Sequence, residues 1–178
     1  MLHGAMGHQP FDTILGAHHA EIYRYLRRVT ASASEADDLT QETFLRAWRA
    51  YRALPEEANV RAWLFTIATN LARNHFRAES RRRRALDALE ADGPASDDGG
   101  PEGERRMNEA RARVEAAVNG LPVRQRLAFV MRKIHDLDYG AIAQSLGCSA
   151  DTARAHVFQA LRKVRRSLDD AQPLEMPR

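Results

Sequence analysis

The sequence predicts an all-α protein, with two small helical domains joined by a flexible acidic linker. Three observations carry this reading. Apolar residues recur at three- and four-residue spacing through two long stretches, and no run alternates with the two-residue period of a strand. Between the stretches lies a segment rich in Asp, Gly and Pro, with almost no large apolar side chain after Leu89. A segment of that kind buries too little surface to offset its ordering entropy. The length, 178 residues, and the hydrophobic share, 44%, suit one domain or two small ones. The boundaries read as a flexible tail over 1–10, a first domain over 11–82, the linker over 83–109, a second domain over 110–170 and a flexible tail over 171–178.

In the first domain, Phe11, Ile14, Leu15, His18, Ile22, Leu26 and Val29 fall on one face of a helix. Ser34 is placed to cap a second helix, with Asp37 three residues on in the capping position. The apolar residues of that helix, Leu39, Phe44, Leu45 and Trp48, are expected to be buried, and it should end near Leu54-Pro55. Asn59 can cap a third helix that buries Val60, Leu64, Ile67, Ala68 and Leu71. The linker contains Asp92-Gly93-Pro94 and Asp97-Asp98-Gly99-Gly100-Pro101.

The second domain begins with two stripes: Val114, Val118 and Leu121, then Leu127, Val130, Met131 and Ile134. Tyr139, Ile142, Ala143 and Leu146 form a short helix, which Gly147-Cys148-Ser149 interrupts. Gly147 supplies the left-handed backbone that ends a helix, and Ser149 caps the next. Two helices joined by a three-residue turn with glycine is the helix-turn-helix pattern. The last stripe, Ala153, Val157, Ala160, Leu161, Val164 and Leu168, faces inward and leaves Arg154, Ala155, His156, Phe158, Gln159, Arg162 and Lys163 outside. In this motif the start of the second helix reaches base edges in the major groove. Arg154 suits guanine, Gln159 adenine, and Phe158 or Ala155 a thymine methyl, while Arg162 and Lys163 suit phosphates.

Charge agrees with that placement. The formal net charge is +3, and the basic excess lies in residues 111–178. All but Lys133 and Lys163 of the basic residues are arginines, whose planar fork bonds phosphates and base edges bidentately. A single cysteine, Cys148, can form neither an internal disulfide nor a zinc site alone, which fits a reducing, cytoplasmic setting. No apolar run reaches membrane-spanning length, so no direct membrane insertion is expected, and residues 1–10 do not read as a secretory signal. No His-Glu-x-x-His, glycine-rich phosphate loop or Gly-x-Ser-x-Gly occurs, so the residues point to no catalytic site, no small-molecule substrate, no metal and no cofactor.

The most specific stretch is Asp37-Asp38-Leu39-Thr40-Gln41-Glu42-Thr43-Phe44-Leu45-Arg46-Ala47-Trp48-Arg49, which resembles region 2.2 of sigma-70 family RNA polymerase sigma factors of the extracytoplasmic-function (ECF) group. Arg61-Ala62-Trp63-Leu64-Phe65-Thr66-Ile67-Ala68-Thr69-Asn70-Leu71-Ala72-Arg73-Asn74 resembles regions 2.3 and 2.4. Gly120 to Arg126, and Asp138 through Val164, resemble region 4. The resemblance covers nearly everything but the tails and the linker.

It implies a transcription initiation factor that directs core RNA polymerase to promoters. Region 2.2 would dock on the coiled coil of the largest polymerase subunit through Asp37, Asp38, Gln41, Glu42, Phe44, Arg46 and Arg49. Regions 2.3 and 2.4 would melt the minus-10 element, offering Arg61, Trp63, Phe65, Asn70, Arg73, Asn74 and Arg77, with Asn70 at a position that contributes to a base pocket in relatives. Region 4 would meet the polymerase flap and read the minus-35 element. Arg154 matches a family arginine there, whereas Ala155, His156 and Gln159 depart from the common serine and arginines, which alters the expected element rather than the fold. The resemblance also implies an anti-sigma factor as partner, and a linker that threads toward the polymerase active centre. The alternative is a stand-alone helix-turn-helix regulator, which would dimerise on paired half-sites. No long heptad stripe is present to support that.

Overall fold

A computed structural model describes residues 9–87 and 102–169, and their side chains except at 86, 87, 102–108 and 110. Residues 1–8 of the expected N-terminal tail over 1–10, residue 170, the whole expected C-terminal tail over 171–178 and the centre of the expected linker, with Asp92, Asp97 and Asp98, lie outside the described residues. Among the described residues there are seven α-helices and one short 3-10 turn, with no strand.

Helix α1 (Phe11–Thr30) buries Ile14, Ile22, Tyr25, Leu26 and Val29, and ends where Ala31 turns left-handed and returns its N–H to the Arg27 carbonyl. Helix α2 (Ala33–Ala50) is capped two residues before the expected position. Ser32, not Ser34, accepts the Glu35 N–H at 3.3 Å, because Ser32 holds the extended backbone that a cap requires. The buried face of α2 also differs from expectation. It runs through Ala36, Thr40, Thr43, Phe44 and Ala47, leaving Leu45 49% and Trp48 63% exposed. The two threonines satisfy their hydroxyls on the carbonyls of Ala36 and Leu39, four residues back, so they enter the core without an orphaned donor. A pattern that scores threonine as polar misses this face.

A 3-10 turn (Tyr51–Ala53) leads to α3 (Val60–Asp87), which Asn59 caps through its side-chain oxygen on the Ala62 N–H at 3.0 Å, as expected. Helices α3 and α4 (Glu102–Asn119) both extend into the segment read from sequence as linker. Then follow α5 (Val123–Lys133), α6 (Tyr139–Leu146) and α7 (Ala150–Asp169). At the ends of their stripes, Val114 and Ile134 are exposed rather than buried, at 38% and 48%. They flank a cleft of about 310 Å³ between α1, α4 and α5.

Helices α1–α3 pack on one another, as do α4–α7, and the two sets are also seated together: α3 lies against α6 and α5, and α1 against α5. One continuous apolar cluster runs through both. At its centre the Tyr25 ring packs on Phe65 and on the ring of His135, and the Tyr25 hydroxyl pairs with Thr69 Oγ1 at 2.8 Å. Thr69 Oγ1 lies 3.8 Å from Met131 Sδ across the seam. Arg126 stitches the ends of three helices. Its guanidinium lies over the Phe76 ring and donates to the carbonyls of Val29 (2.9 Å), Asn119 (2.5 Å) and Leu121 (3.3 Å). Terminal helix carbonyls lack partners within their own helix, so one half-buried cation satisfies those of Val29 and Asn119 together. Among the described residues no helix is long and apolar enough to cross a membrane.

His135 is 6% exposed and faces Glu21 (3.4 Å from Nδ1), Arg61 and Arg24. Burial pushes its pKa down; Glu21 opposes this, and the charges of Arg61 and Arg24 reinforce it. Burial raises the Glu21 carboxyl, but hydrogen bonds and charge from Arg61 and His135 outweigh that and hold it below its ordinary value. A histidine depressed in the folded state contributes stability above the unfolded value of about 6.5, and that stability is lost as pH falls. The Glu21 contribution is lost only at still lower pH, below the carboxylate range. We therefore expect the melting temperature to fall between about pH 8 and about pH 5, and to fall less steeply in a His135→Gln variant. A residual slope is expected from His156, which burial and the charge of Arg124 also depress. Calorimetric scans across that range check this.

Candidate nucleic-acid interface

The helix-turn-helix is built by local chemistry. Asp138 caps α6 through Oδ1 on the Ala141 N–H at 2.8 Å. Gly147 ends α6 at φ +61°, where its own N–H returns to the Gln144 carbonyl and the Cys148 N–H to that of Ala143. Ser149 Oγ accepts the Thr152 N–H at 3.1 Å and so starts α7. Ala153, Val157, Ala160 and Val164 then anchor α7 inward.

The outer face of α7 carries the residues expected there. Arg154, Ala155, Phe158, Gln159, Arg162 and Lys163 are exposed, and His156 is half-buried. Phe158 is 61% exposed, a large apolar ring held in solvent with no packing role. Arg154 lies over the Tyr139 ring and donates to Asp151 Oδ1 at 2.6 Å. The aromatic platform and the carboxylate aim a guanidinium that would otherwise sample many rotamers. Such an exposed pair adds little stability, so its effect is on orientation. Gln159 Oε1 accepts from Gln125 Nε2 at 2.7 Å, which leaves its own amide N–H groups outward.

The minus-10 set divides between two faces of α3. Asn70, Asn74 and Arg77 are exposed, and Trp63 is half-buried against the core. Arg61, Phe65 and Arg73 turn toward the C-terminal helices. Arg61 makes a bidentate pair with Glu21 (Nε to both oxygens at 3.1 Å, Nη2 to Oε1 at 2.5 Å) and donates to the backbone carbonyl of His135. Phe65 is 0% exposed, enclosed by Tyr25, His135 and the Arg61 guanidinium, so it offers no free ring face for stacking. Arg73 donates to the Leu146 carbonyl at 3.3 Å, and Thr66 Oγ1 lies 3.1 Å from Ser145 Oγ. Periodicity marked α3 as amphipathic but could not show that a second helix set covers part of it. Glu21, Thr66, His135 and Ser145 carried no sequence signal, since their partners lie 40 or more residues away.

On α2, Asp37, Asp38, Gln41, Arg46 and Arg49 are exposed and Glu42 is half-buried, with Glu42 accepting from Arg46 Nε at 2.6 Å. Phe44 is 6% exposed and stacks on His19, so it belongs to the core and cannot contact a partner directly. Leu45 and Trp48 take its place as the apolar members of the face. The signal was present, since Asp38, Gln41, Leu45 and Trp48 share one helical stripe.

The sequence matches the family model described as Sigma-70 region 2 over residues 14–82 and that described as Sigma-70, region 4 over residues 111–164. The RNA polymerase sigma-H factor of Pseudomonas aeruginosa is 30% identical over 171 residues, covering 92% of this chain and 87% of that protein. The ECF RNA polymerase sigma-E factor of Escherichia coli K12 is 30% identical over 167 residues, covering 86% and 85%. Among solved structures, the sigma factor RpoE of Bartonella quintana, in complex with the anti-sigma factor NepR, is similar with a TM-score of 0.71 at 22% identity, over 89% of this chain and 96% of that one. CnrH, in complex with the cytosolic domain of CnrY, gives 0.67 at 22%, over 91% and 89%. At these identities the structural likeness is one of fold.

The turn itself is testable. A Cβ at Gly147 would meet nothing within 4 Å, so Gly147→Ala costs only the left-handed backbone. We expect a loss of about 1 kcal/mol in denaturant unfolding. A neutral result would show that the turn relaxes to another conformation.

Proposed function

The chain belongs to the sigma-70 family of RNA polymerase sigma factors, in its extracytoplasmic-function group, and we propose that its helix sets divide one promoter between them, α3 taking the minus-10 element and α7 the minus-35. The protein is a sigma factor that directs promoter-specific transcription initiation. What supports the division is the outer face of α7: Arg154, Phe158, Arg162 and Lys163 stand exposed on a helix whose opposite face is fully anchored. In this reading Arg154 and Gln159 read base edges, Ala155 and His156 line the contact, Phe158 meets a methyl group, and Arg162 and Lys163 hold phosphates.

On α2, Asp37, Asp38, Gln41, Glu42, Arg46 and Arg49 frame Leu45 and Trp48 as a docking face for the largest polymerase subunit. Exposed apolar side chains ringed by charge suit a protein interface, where a tryptophan often supplies the anchor. On α3, Trp63, Asn70, Asn74 and Arg77 are available to the minus-10 strand. Arg61, Phe65 and Arg73 become available only when α3 separates from α6 and α5. Promoter engagement then requires the two helix sets to part, with core polymerase providing the energy to hold them apart. The functional surfaces bind rather than catalyse, and the work is done in the cytoplasm beside core polymerase. An anti-sigma partner is part of the reading, as RpoE of Bartonella quintana is found with the anti-sigma factor NepR.

The test is transcription in vitro with bacterial core polymerase over genomic DNA, mapping RNA 5′ ends. Starts sharing paired upstream elements are expected. Arg154→Ala should reduce them by about tenfold or more, since a bidentate base contact is worth about 1–3 kcal/mol. Trp48→Ala should instead weaken binding to core without changing which promoters are chosen. If neither variant differs from the parent, the assignments of α7 and α2 are wrong. If the parent yields no starts, the stand-alone regulator gains the weight.

A further inference from the structure

Where α3 meets α5, five arginines line one open cleft of about 700 Å³: Arg73, Arg77, Arg81 and Arg84 from α3, and Arg124 from α5. No carboxylate lines it. Among the described residues, none of the five pairs with an acidic side chain, whereas the neighbouring Arg83 pairs with Glu79. Two of the cations converge on a single acceptor: Arg73 and Arg124 both donate to the Leu146 carbonyl, at 3.3 and 3.5 Å. Like charges so placed repel. The Arg73 guanidinium is pulled below its ordinary pKa first by burial and then by the charges of Arg124 and Arg77.

We propose that this cleft binds a polyphosphate group, and that the bound group holds the two helix sets together. Several guanidiniums around one open space, none of them paired with a carboxylate, match the many acceptor oxygens of linked phosphates. The ligand would relieve the repulsion that the packed arrangement otherwise carries. Four of the arginines come from α3 and one from α5, so the full set exists only while α3 and α5 are in contact. A ligand that binds one arrangement better shifts the population toward it. Arg73 and Arg77 are also among the residues proposed for promoter DNA. Occupancy would therefore oppose promoter engagement both by filling that surface and by closing the seam. The inference rests on the cleft and not on the promoter assignments, because its test involves neither DNA nor polymerase.

The test uses the full chain and sodium tripolyphosphate at constant ionic strength, by calorimetry. One site per chain is expected, with orthophosphate at least about tenfold weaker. A nucleoside triphosphate as second titrant distinguishes the sources: equal affinity means that the phosphate chain alone is recognised, tighter binding that a nucleotide is the ligand. Either supports the site. Arg81→Gln and Arg124→Gln should each weaken binding about tenfold. Arg52→Gln, on the exposed 3-10 turn, should leave it unchanged. Spin labels on Ala50→Cys and Ser167→Cys, in a Cys148→Ser background, should show a narrower inter-helix distance distribution with tripolyphosphate present. No binding at millimolar ligand would overturn the proposal, as would equal weakening by Arg52→Gln and Arg124→Gln, which would mean general charge attraction. Loss on Arg81→Gln but not on Arg124→Gln would confine the site to α3 and overturn the bridging role.

Discussion

Arg61 joins three parts of the chain that lie far apart in sequence. Its guanidinium grips Glu21 of α1 in a bidentate pair, donates to the carbonyl of His135 beyond α5, and covers the ring of Phe65 on its own helix. Around it, Tyr25 meets His135 edge to face, and Phe65 packs tilted against both. The position of α3 against the C-terminal helices follows from this cluster. So does the availability of the minus-10 face, since the cation and the ring that would meet DNA are the ones the cluster occupies.

The seam adds such polar clusters to the apolar core that runs through both helix sets. Thr66 meets Ser145, Arg73 and Arg124 share the Leu146 carbonyl, and Arg126 reaches back to Val29. Polar seams between domains resemble transient protein–protein interfaces and open more readily than a hydrophobic core. In the proposed function these polar pairs are the ones that polymerase and promoter replace when the helix sets part.

Much of each helix was legible in the sequence, because burial on one face forces a periodicity. Asn59 and Gly147 were identified correctly from local backbone needs alone. The outer face of α7 was legible too, being what remains once Ala153, Val157, Ala160 and Val164 turn inward. Three things were not. Ser32 and Ser34 offer the same spacing to an acid, and only the backbone at Ser32 decides between them. Thr40 and Thr43 behave as core residues once their hydroxyls bond back to the helix, which rotates α2 and moves Leu45 and Trp48 outward. The seating of one helix set on the other depends on pairs such as Glu21 with Arg61, whose separation in sequence carries no local pattern.

In the proposed function the packed arrangement withholds the minus-10 face, and initiation requires its opening. Thr66 Oγ1 and Ser145 Oγ lie 3.1 Å apart across the seam, so cysteines at both positions, in a Cys148→Ser background, are placed to form a disulfide. Transcription by core polymerase with this protein, oxidised and then reduced, is the most direct measurement. No promoter-specific starts are expected from the oxidised form, with recovery on adding reductant. Equal initiation by the oxidised, fully cross-linked protein would contradict this, and would mean that promoter DNA is engaged without parting α3 from α6.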